Sequence, residues 1–214
     1  LGPILVAASV RATVERHVKG LPRASLTAVA DEVFAAISST ETTQGVITLV
    51  RPPSWHLDHL FRGRSLVVVL DGVQDPGNAG AILRAAEAFG ATGALFLKGS
   101  ASPYNPKAVR ASAGSVFRLP LAANLDGDVA RASFEQHRLD VYAAAPGGSL
   151  LLADANLTRR CAVIIGSEGR GVSAKLRSAA VDLRIPTTAV ESLNAAMAAG
   201  IVLYEARRQR VSHA

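Results

Sequence analysis

From residue 65 onward, short apolar runs alternate with helical segments, and this alternation limits what the chain can fold into. Residues 65–70 (SLVVVL) and 161–165 (CAVII) are continuous apolar runs, typical of strands that are covered on both faces. Between them, helical patterns cover residues 81–89 and 128–137. Strands that alternate with helices predict an α/β fold with a mostly parallel sheet and helices on both faces.

The remaining elements of this region follow the same pattern. We predict further strands over residues 94–97, 140–145 and 181–185, and further helices over 107–114, 172–180 and 194–210.

Residues 1–52 differ in character from the rest of the chain. Helices are predicted over 10–18 and 28–37, a loop over 40–45 and a short strand over 46–50. We therefore expect a partial small α/β domain over 1–52, a linker over 53–64 and the main domain over 65–214.

The linker holds two histidines, His56 and His59, at a spacing that places them on one face of a helix. A zinc site needs three or four ligands, and no further ligand accompanies these two. We therefore predict no metal site.

The composition of the chain indicates which kind of partner it binds and in which cellular compartment it is found. The net charge of +6 and the pI of about 10.1 suit an acidic partner such as nucleic acid, although the charge could also serve solubility alone. The single cysteine, Cys161, excludes an internal disulfide framework and indicates a reducing compartment. Apolar runs stay below the roughly 20 residues that cross a bilayer. We expect no membrane association and a cytoplasmic location.

Three loops that follow strands have unusual compositions. They are residues 71–80 (DGVQDPGNAG), 166–171 (GSEGRG) and 185–194 (IPTTAVESLN). Ligands bind at the carboxyl ends of the strands in open parallel sheets, so these loops are the candidate site. Neither the dinucleotide fingerprint nor the phosphate-binding G-K-[ST] motif is present. Each loop taken singly could also be an ordinary turn.

Together the three loops resemble the signature motifs of the SpoU-type (TrmH-like) RNA 2′-O-ribose methyltransferases of the SPOUT superfamily. The resemblance covers residues 65–210. The matching residues are Asp75-Pro76-Gly77-Asn78, Gly80 and Arg84 in the first motif, Gly166-Ser167-Glu168-Gly169 and Gly171 in the second, and Ile185-Pro186 and Ser192-Leu193-Asn194 in the third.

The resemblance implies a C-terminal deep trefoil knot that binds S-adenosyl-L-methionine, and a homodimer. It implies a ribose-2′-O-methyltransferase of the 23S ribosomal RNA type, with tRNA as the alternative substrate. Residues 1–52 would then be part of an RNA substrate-binding domain. A catalytically silent RNA-binding relative and a nucleotide-dependent oxidoreductase stay as alternatives.

The resemblance also assigns residues to roles. The expected catalytic residues are Asn78, Arg84, Glu168, Ser192 and Asn194. The expected cofactor-binding residues are Ala145, Gly166, Gly169, Ile185, Pro186 and Leu193. The expected RNA-binding residues are Arg84, Lys107 and Arg110, with Arg118 as a further candidate.

Each role has a simpler alternative. Asn78 could merely cap a helix, Glu168 could be a solvated loop carboxylate, and the basic residues could be a solvated face. For Arg84 we favour a clamp on the target phosphate and ribose over a general base, because a guanidinium normally stays protonated.

The helix predicted over 194–210 is apolar on nearly all sides until Tyr204. A face that does not cover the sheet would lie in water in a monomer, so the pattern favours a homodimer through this helix. We expect Ala199 to lie in that interface. Its last turn carries Arg207, Arg208 and Arg210, which suit the helix dipole and could reach RNA.

Overall fold

The structure is a computed structural model that describes residues 2–20, 25–38, 40 and 42–212. It divides into two compact units, Leu1–Pro53 (unit 1) and Ser54–Ala214 (unit 2).

Unit 1 is a three-stranded sheet with two helices. Its strands are β1 (Ile4–Ala7), β2 (Leu26–Val29) and β3 (Val46–Thr48), and its helices are α1 (Arg11–Val18) and α2 (Asp31–Ile37). The strand order is β2-β1-β3, with β2 parallel and β3 antiparallel to β1. The predicted helix over 10–18 and strand over 46–50 are confirmed within two residues at each end. Of the predicted loop over 40–45, Glu41 lies outside the described residues.

The helix predicted over 28–37 is wrong at its beginning. Ala28 and Val29 belong to β2, where they pair with Val6 and Ala7 of β1. Their spacing fits a helix, but hydrogen bonding to a neighbouring strand decides the conformation, which the local pattern does not contain. The helix begins only at Asp31.

Unit 2 is a seven-stranded sheet with helices between its strands. Its strands are β4 (Leu66–Asp71), β5 (Gly93–Leu97), β6 (Leu121–Leu125), β7 (Asp140–Ala144), β8 (Leu150–Leu151), β9 (Cys161–Gly166) and β10 (Val181–Arg184). Its helices are α3 (Pro76–Ala88), α4 (Pro106–Ala111), α5 (Gly127–Gln136), α6 (Ala174–Arg177) and α7 (Ala195–Ser212). The strand order is β6-β5-β4-β9-β7-β10-β8, and the described pairings are all parallel.

The central strand β4 is buried on both faces. Leu66, Val68 and Leu70 pack in one core cluster with residues of α3 and α7. Val67 and Val69 pack in a second cluster with residues of α5 and α6. Successive side chains of a strand point to opposite faces, so the two clusters lie on opposite sides of the sheet. The predicted parallel sheet with helices on both faces is confirmed.

Several element boundaries differ from those predicted. Helix α3 begins at Pro76 rather than at residue 81, because Asp75 caps it by accepting a hydrogen bond from the Asn78 N–H at 2.7 Å. Helix α6 covers only four residues of the predicted span 172–180. Strands β6 and β8 were not predicted; β8 has only two residues, and residues 123 and 124 of β6 are exposed. The trefoil knot stays a prediction.

The segment over 53–64 is not a free linker. Its residues Leu57–Phe61 form a 3-10 helix, and Leu60 and Phe61 are 0% and 3% exposed in the second core cluster of unit 2. The Thr92 hydroxyl donates a hydrogen bond to the Leu60 carbonyl at 2.6 Å. The prediction of a linker did not take account of Leu60 and Phe61, the apolar pair that packs the segment onto unit 2.

Helix α7 has one buried face and one exposed apolar face. Ala199 and Val202 are fully buried, whereas Met197, Ile201 and Tyr204 are 57%, 36% and 57% exposed. The expectation that Ala199 lies in a dimer interface is wrong, because this residue packs in the core of its own unit. An exposed apolar stripe on the helix does exist, at positions 197, 201 and 204.

The end of α7 is tied to its own unit by Arg210. The guanidinium donates hydrogen bonds to the carbonyls of Leu157, Arg64 and Arg159 at 2.8, 2.7 and 2.6 Å. Arg210 therefore stabilises the loop before β9, and the expectation that it could reach RNA is wrong. Its neighbour Arg208 forms an ion pair with Glu205.

Three further properties bear on function. In the described part of the chain, no helix is long and apolar enough to cross a membrane. Within the same residues, no three His, Cys, Asp or Glu side chains are grouped so that they could hold a metal ion. Burial raises the pKa of the Cys161 thiol to about 11, so this residue is protonated at neutral pH and is a poor nucleophile.

Candidate active site

The pairing of β4 with β9 places two of the three candidate loops side by side. The two strands run in register from Leu66 opposite Cys161 to Asp71 opposite Gly166. The Asp71 carboxylate then accepts a hydrogen bond from the Ser173 N–H at 2.7 Å, which ties the ends of the loops together. In the sheet, β4 lies between β5, the next strand along the chain, and β9, which comes much later in the chain. A crevice is therefore expected at the carboxyl ends of β4 and β9.

The first loop is held where it enters α3. The Asp75 carboxylate accepts the Asn78 N–H and also pairs with the Lys107 ammonium at 3.0 Å. The hydrogen bond from Asn78 and the one from Lys107 lower the pKa of Asp75, so the carboxylate is charged at neutral pH. The loop is therefore fixed by interactions on both sides of Asp75, and Asn78 lies in the first turn of α3.

The second loop folds back on itself. The backbones of Ser167 and Gly171 exchange two hydrogen bonds, and Gly171 has a positive φ of 68°. A side chain at Gly166 would meet the Gly171 carbonyl carbon at 2.1 Å. Glycine is therefore required at 166 for close approach, and glycine at 171 favours the left-handed turn.

Three polar side chains from the three loops meet in one cluster. Asn78 Nδ2 donates to Glu168 Oε1 at 2.5 Å, and Asn194 Nδ2 donates to Asn78 Oδ1 at 3.0 Å. Asn194 Nδ2 also lies 3.4 Å from Glu168 Oε1. Asn194 Oδ1 caps α7 by accepting the N–H groups of Ala196 and Met197. Each motif identified in the sequence thus contributes one residue to this polar cluster.

A cavity of about 680 Å³ opens beside the cluster, between the ends of β7, β9 and β10. Eight of the predicted site residues line it: Ala145, Gly166, Glu168, Gly169, Ile185, Ser192, Leu193 and Asn194. Pro186, which was predicted to bind the cofactor, is not part of the lining of this cavity. The apolar side chains of Ile165 and Leu183 contribute to its wall.

A smaller cavity of about 230 Å³ lies next to the first. It is lined by the first loop, including Gln74 and Asn78, and by the second loop. Both cavities share Ser167, Glu168, Gly169 and Arg170 in their linings, so the second loop separates them. The polar cluster therefore lies where a molecule in one cavity would face a molecule in the other.

The predicted basic residues are not part of the polar cluster. Arg84 and Arg110 are exposed, and neither has a hydrogen-bond or ion-pair partner among the described residues. Lys107 is paired with Asp75. Arg118 forms a two-pronged ion pair with Glu87, at 2.5 and 2.7 Å, which argues against its use for RNA.

Arg84 lies on the same face of α3 as Gly77 of the first motif, although it is not part of the lining of either cavity. Arg84 is seven residues beyond Gly77, which is about two helical turns. A side chain at Gly77 would lie 3.3 Å from Lys107 Cε. Helical side chains tilt toward the N-terminus, so the direction from Arg84 is back toward the first loop.

Sequence reasoning missed the residues that hold the first loop in place. Ser100 Oγ accepts the Gly72 N–H and donates to the Leu70 carbonyl, both at 2.9 Å. Asp71, which binds the second loop, directly follows the apolar run of β4, so its position at a strand end was an available signal. Ser100 comes from the next strand-loop unit, and no pattern in the sequence indicates that it reaches back.

Comparisons with known proteins agree with this geometry. Residues 65–204 match the model of the SpoU rRNA Methylase family. A tRNA/rRNA methyltransferase of Synechocystis sp. is 37% identical over 188 residues, which are 85% of this chain and 67% of that protein. The 23S rRNA (guanosine(2553)-2′-O)-methyltransferase RlmP of Bacillus subtilis is 32% identical over 84% of this chain and 71% of its own length. A tRNA/rRNA methyltransferase of Mycobacterium tuberculosis is 35% identical over 78% of this chain. The match covers 54% of that protein's length.

Solved structures show the same fold. The SpoU methyltransferase AviRb from Streptomyces viridochromogenes superposes with a TM-score of 0.88 at 30% identity, covering 100% of this chain and 83% of that one. Its complex with the cofactor AdoMet superposes with a TM-score of 0.87 at 29% identity, over 98% and 83% of the two chains. With the three motifs joined in one site and the family model matched over most of unit 2, this chain belongs to the SpoU rRNA methylase family of RNA methyltransferases.

Proposed function

We propose that this protein transfers a methyl group from S-adenosyl-L-methionine to the 2′-hydroxyl of a ribose in RNA. The observation that carries the proposal is the cluster of Asn78, Glu168 and Asn194 at the junction of two cavities. A methyl donor in the larger cavity and a ribose in the smaller one would meet at this cluster.

The larger cavity fits the cofactor. Its volume of about 680 Å³ lies within the ordinary range of small-molecule sites. When bound, S-adenosyl-L-methionine supplies an electrophilic methyl group on a sulfonium. The chain binds it through backbone groups of Ala145, Gly166, Gly169, Ile185 and Leu193, because glycine and loop backbone allow close approach.

Pro186 supports this cofactor site from outside the cavity. Its ring fixes φ where the chain leaves β10, which orients the backbone of Ile185 and of the loop that follows. Ser192 lines the cavity beside Asn194, where its hydroxyl orients the reacting groups.

The ribose hydroxyl must lose a proton as it is methylated. Glu168 uses Oε1 for Asn78 and Asn194, and its Oε2 has no protein partner among the described residues. Oε2 is therefore available to accept a hydrogen bond from the ribose. Asn78 and Asn194 hold the carboxylate in place, and Asn194 is itself held by capping α7.

Arg84 binds the phosphate and ribose of the target nucleotide. A guanidinium remains charged and offers a planar pair of donors, so it suits a phosphate and a developing alkoxide better than it suits proton abstraction. In this structure Arg84 is exposed and has no partner among the described residues, which leaves it available for RNA. Lys107 and Arg110 extend the basic path, with Lys107 also holding Asp75.

Ribosomal RNA is the proposed substrate, with tRNA as the alternative. The named activity of the Bacillus subtilis relative, a 23S rRNA 2′-O-methyltransferase, supports the first choice. Unit 1 would help to select the RNA, because target choice by shape needs contacts beyond the reacting nucleotide.

The active form is a homodimer formed through α7. Its exposed side chains at Met197, Ile201 and Tyr204 form an apolar stripe, and a second copy of this helix would cover it. Gly200 lies beside the stripe with open space around its Cα, which permits close approach of another backbone.

Unmodified transcripts of 23S ribosomal RNA and of tRNA, incubated with methyl-labelled S-adenosyl-L-methionine, test the proposal. Label should enter RNA, and the modified nucleotide should resist alkaline cleavage of its 3′ phosphodiester bond, because cleavage requires a free 2′-hydroxyl. Label on a base, or binding of RNA and cofactor without transfer, would contradict the proposal. The second result would favour a catalytically silent relative.

A further inference from the structure

One arginine of the second loop lies beside both cavities. Arg170 lines the larger and the smaller cavity, although it belongs to none of the motif positions discussed above. Its side chain is exposed.

The backbone that carries Arg170 is well defined by contacts within the loop. Ser167 and Gly171 exchange backbone hydrogen bonds on either side of it, and its own N–H donates to Ser167 Oγ at 3.3 Å. The closed turn fixes the backbone of Arg170, and the residue lines both cavities. Arg170 therefore places a positive charge beside both cavities.

The charges around the site leave Arg170 uncompensated. Lys107 pairs with Asp75, and Arg177 pairs with Asp182 at 2.6 Å. Among the described residues, Arg170 has no such carboxylate partner.

The site also contains carboxylates. Glu168 and Glu191 line the larger cavity, and both would repel an incoming phosphate. A cation at the junction would offset that repulsion at the place where a ribose must enter.

We infer that Arg170 binds a backbone phosphate next to the ribose that enters the smaller cavity. This inference rests on the proposed function. A guanidinium can donate two parallel hydrogen bonds to a phosphate, and such contacts position the nucleic acid without reading its sequence. In the proposed function Arg84 binds the same nucleotide from α3, and Arg170 would add a second contact from the second loop.

Arg170→Ala and Arg170→Lys, compared with Arg62→Ala, test the inference in the full chain. Arg62 is an exposed arginine that precedes β4, whereas Arg170 follows the carboxyl end of β9, and the two alanine variants carry the same net charge. The probes are unmodified 23S ribosomal RNA and tRNA transcripts. The measurements are RNA affinity at several salt concentrations, the KM for RNA, kcat, and cofactor affinity by calorimetry.

Arg170→Ala should weaken RNA affinity by about 10- to 100-fold, the usual effect of losing a charge-assisted hydrogen bond. The slope of log affinity against log salt should become less steep by about 1, as for one lost phosphate contact. Arg170→Lys should recover part of the affinity and most of the salt slope, because it keeps the charge but not the planar pair of donors. Arg62→Ala should resemble the wild type.

Two outcomes would overturn the inference. Unchanged RNA affinity and salt slope in Arg170→Ala, with active wild-type protein, would show that Arg170 contacts no phosphate. Reduced cofactor affinity with intact RNA affinity would assign Arg170 to the larger cavity instead. A wild-type protein that binds RNA but transfers no methyl group would contradict the proposed function, while the salt measurement on Arg170 would still decide the inference.

Discussion

The two compact units differ in how fully each buries its own apolar surface. Unit 2 has two core clusters, one on each face of a seven-stranded sheet. Among the described residues of unit 1, the buried apolar side chains are Ile4, Val6, Ala7 and Phe34. Five large apolar side chains among these described residues of unit 1 are exposed, namely Val33, Ile37, Val46, Leu49 and Val50.

This difference is consistent with the proposed roles, in which unit 2 carries the site and unit 1 helps to select the RNA. Every residue of the polar cluster and of the two cavities comes from unit 2. The described residues of unit 1 form a small core, and we propose that this unit contributes RNA-binding surface. The described residues of unit 2 also include exposed large apolar side chains, and three of them form the stripe on α7. Four experiments test whether unit 2 folds, binds the cofactor and methylates RNA without unit 1 or a second copy of the chain.

The largest effect is expected from a charge placed on the buried face of α7. Ala199→Glu would bury an unpaired carboxylate in the core, at a cost of about 3–5 kcal/mol, and should prevent stable folding of unit 2. Ile201→Glu adds the same charge on the exposed face of the same helix and should leave the fold intact while separating the dimer. Thermal unfolding and sedimentation velocity at micromolar concentration distinguish the two effects. A wild-type monomer that binds cofactor would rule out the dimer.

The second-largest effect is expected from replacing Arg84, which should impair catalysis without loss of cofactor binding. Arg84→Ala should lower the single-turnover rate by about 100- to 1,000-fold, as for removal of one transition-state donor. Cofactor affinity, measured by calorimetry, should change little, because Arg84 is not part of the lining of the larger cavity. Arg84→Lys should also be strongly impaired, since an ammonium lacks the planar pair of donors. Near-normal turnover in either variant would remove Arg84 from the mechanism.

A smaller effect is expected when unit 1 is removed. The fragment 54–214 should bind cofactor like the whole chain, yet methylate its RNA with a lower kcat/KM. A fragment that begins at residue 65 should be less stable, because it lacks the buried side chains of Leu60 and Phe61. Calorimetry, RNA methylation and thermal unfolding of the two fragments provide the comparison. Full activity of fragment 54–214 on intact RNA would assign recognition to unit 2.

The smallest effect concerns salt and the wild-type chain. Phosphate contacts release counterions, so RNA affinity should fall by at least about tenfold between 50 and 200 mM salt. Cofactor affinity should respond much less, because the cofactor site is proposed to consist mainly of backbone groups. Filter-binding titrations and calorimetry across this range measure both. An RNA affinity that does not depend on salt would count against a basic RNA path.

The sequence by itself determined the fold class and the three loops of the site. Continuous apolar runs such as 65–70 must be buried on both sides, which requires helices on both faces of a sheet. Asn78, Glu168 and Asn194 were identified from their motifs, and the structure joins them by hydrogen bonds. A strand buried on both faces and a glycine-rich turn are visible in consecutive residues, whereas the roles of the three site residues came from the family resemblance.

Only the tertiary structure decided how those loops meet and what surrounds them. The order of strands places β4 beside β9, which brings Asn78 within reach of a residue 90 positions away. It also decided that Ala199 faces the core while Ile201 faces outward, and that Arg210 and Arg118 are engaged within the protein. These outcomes depend on contacts between residues far apart in the chain, and no local spacing of residue types contains that information.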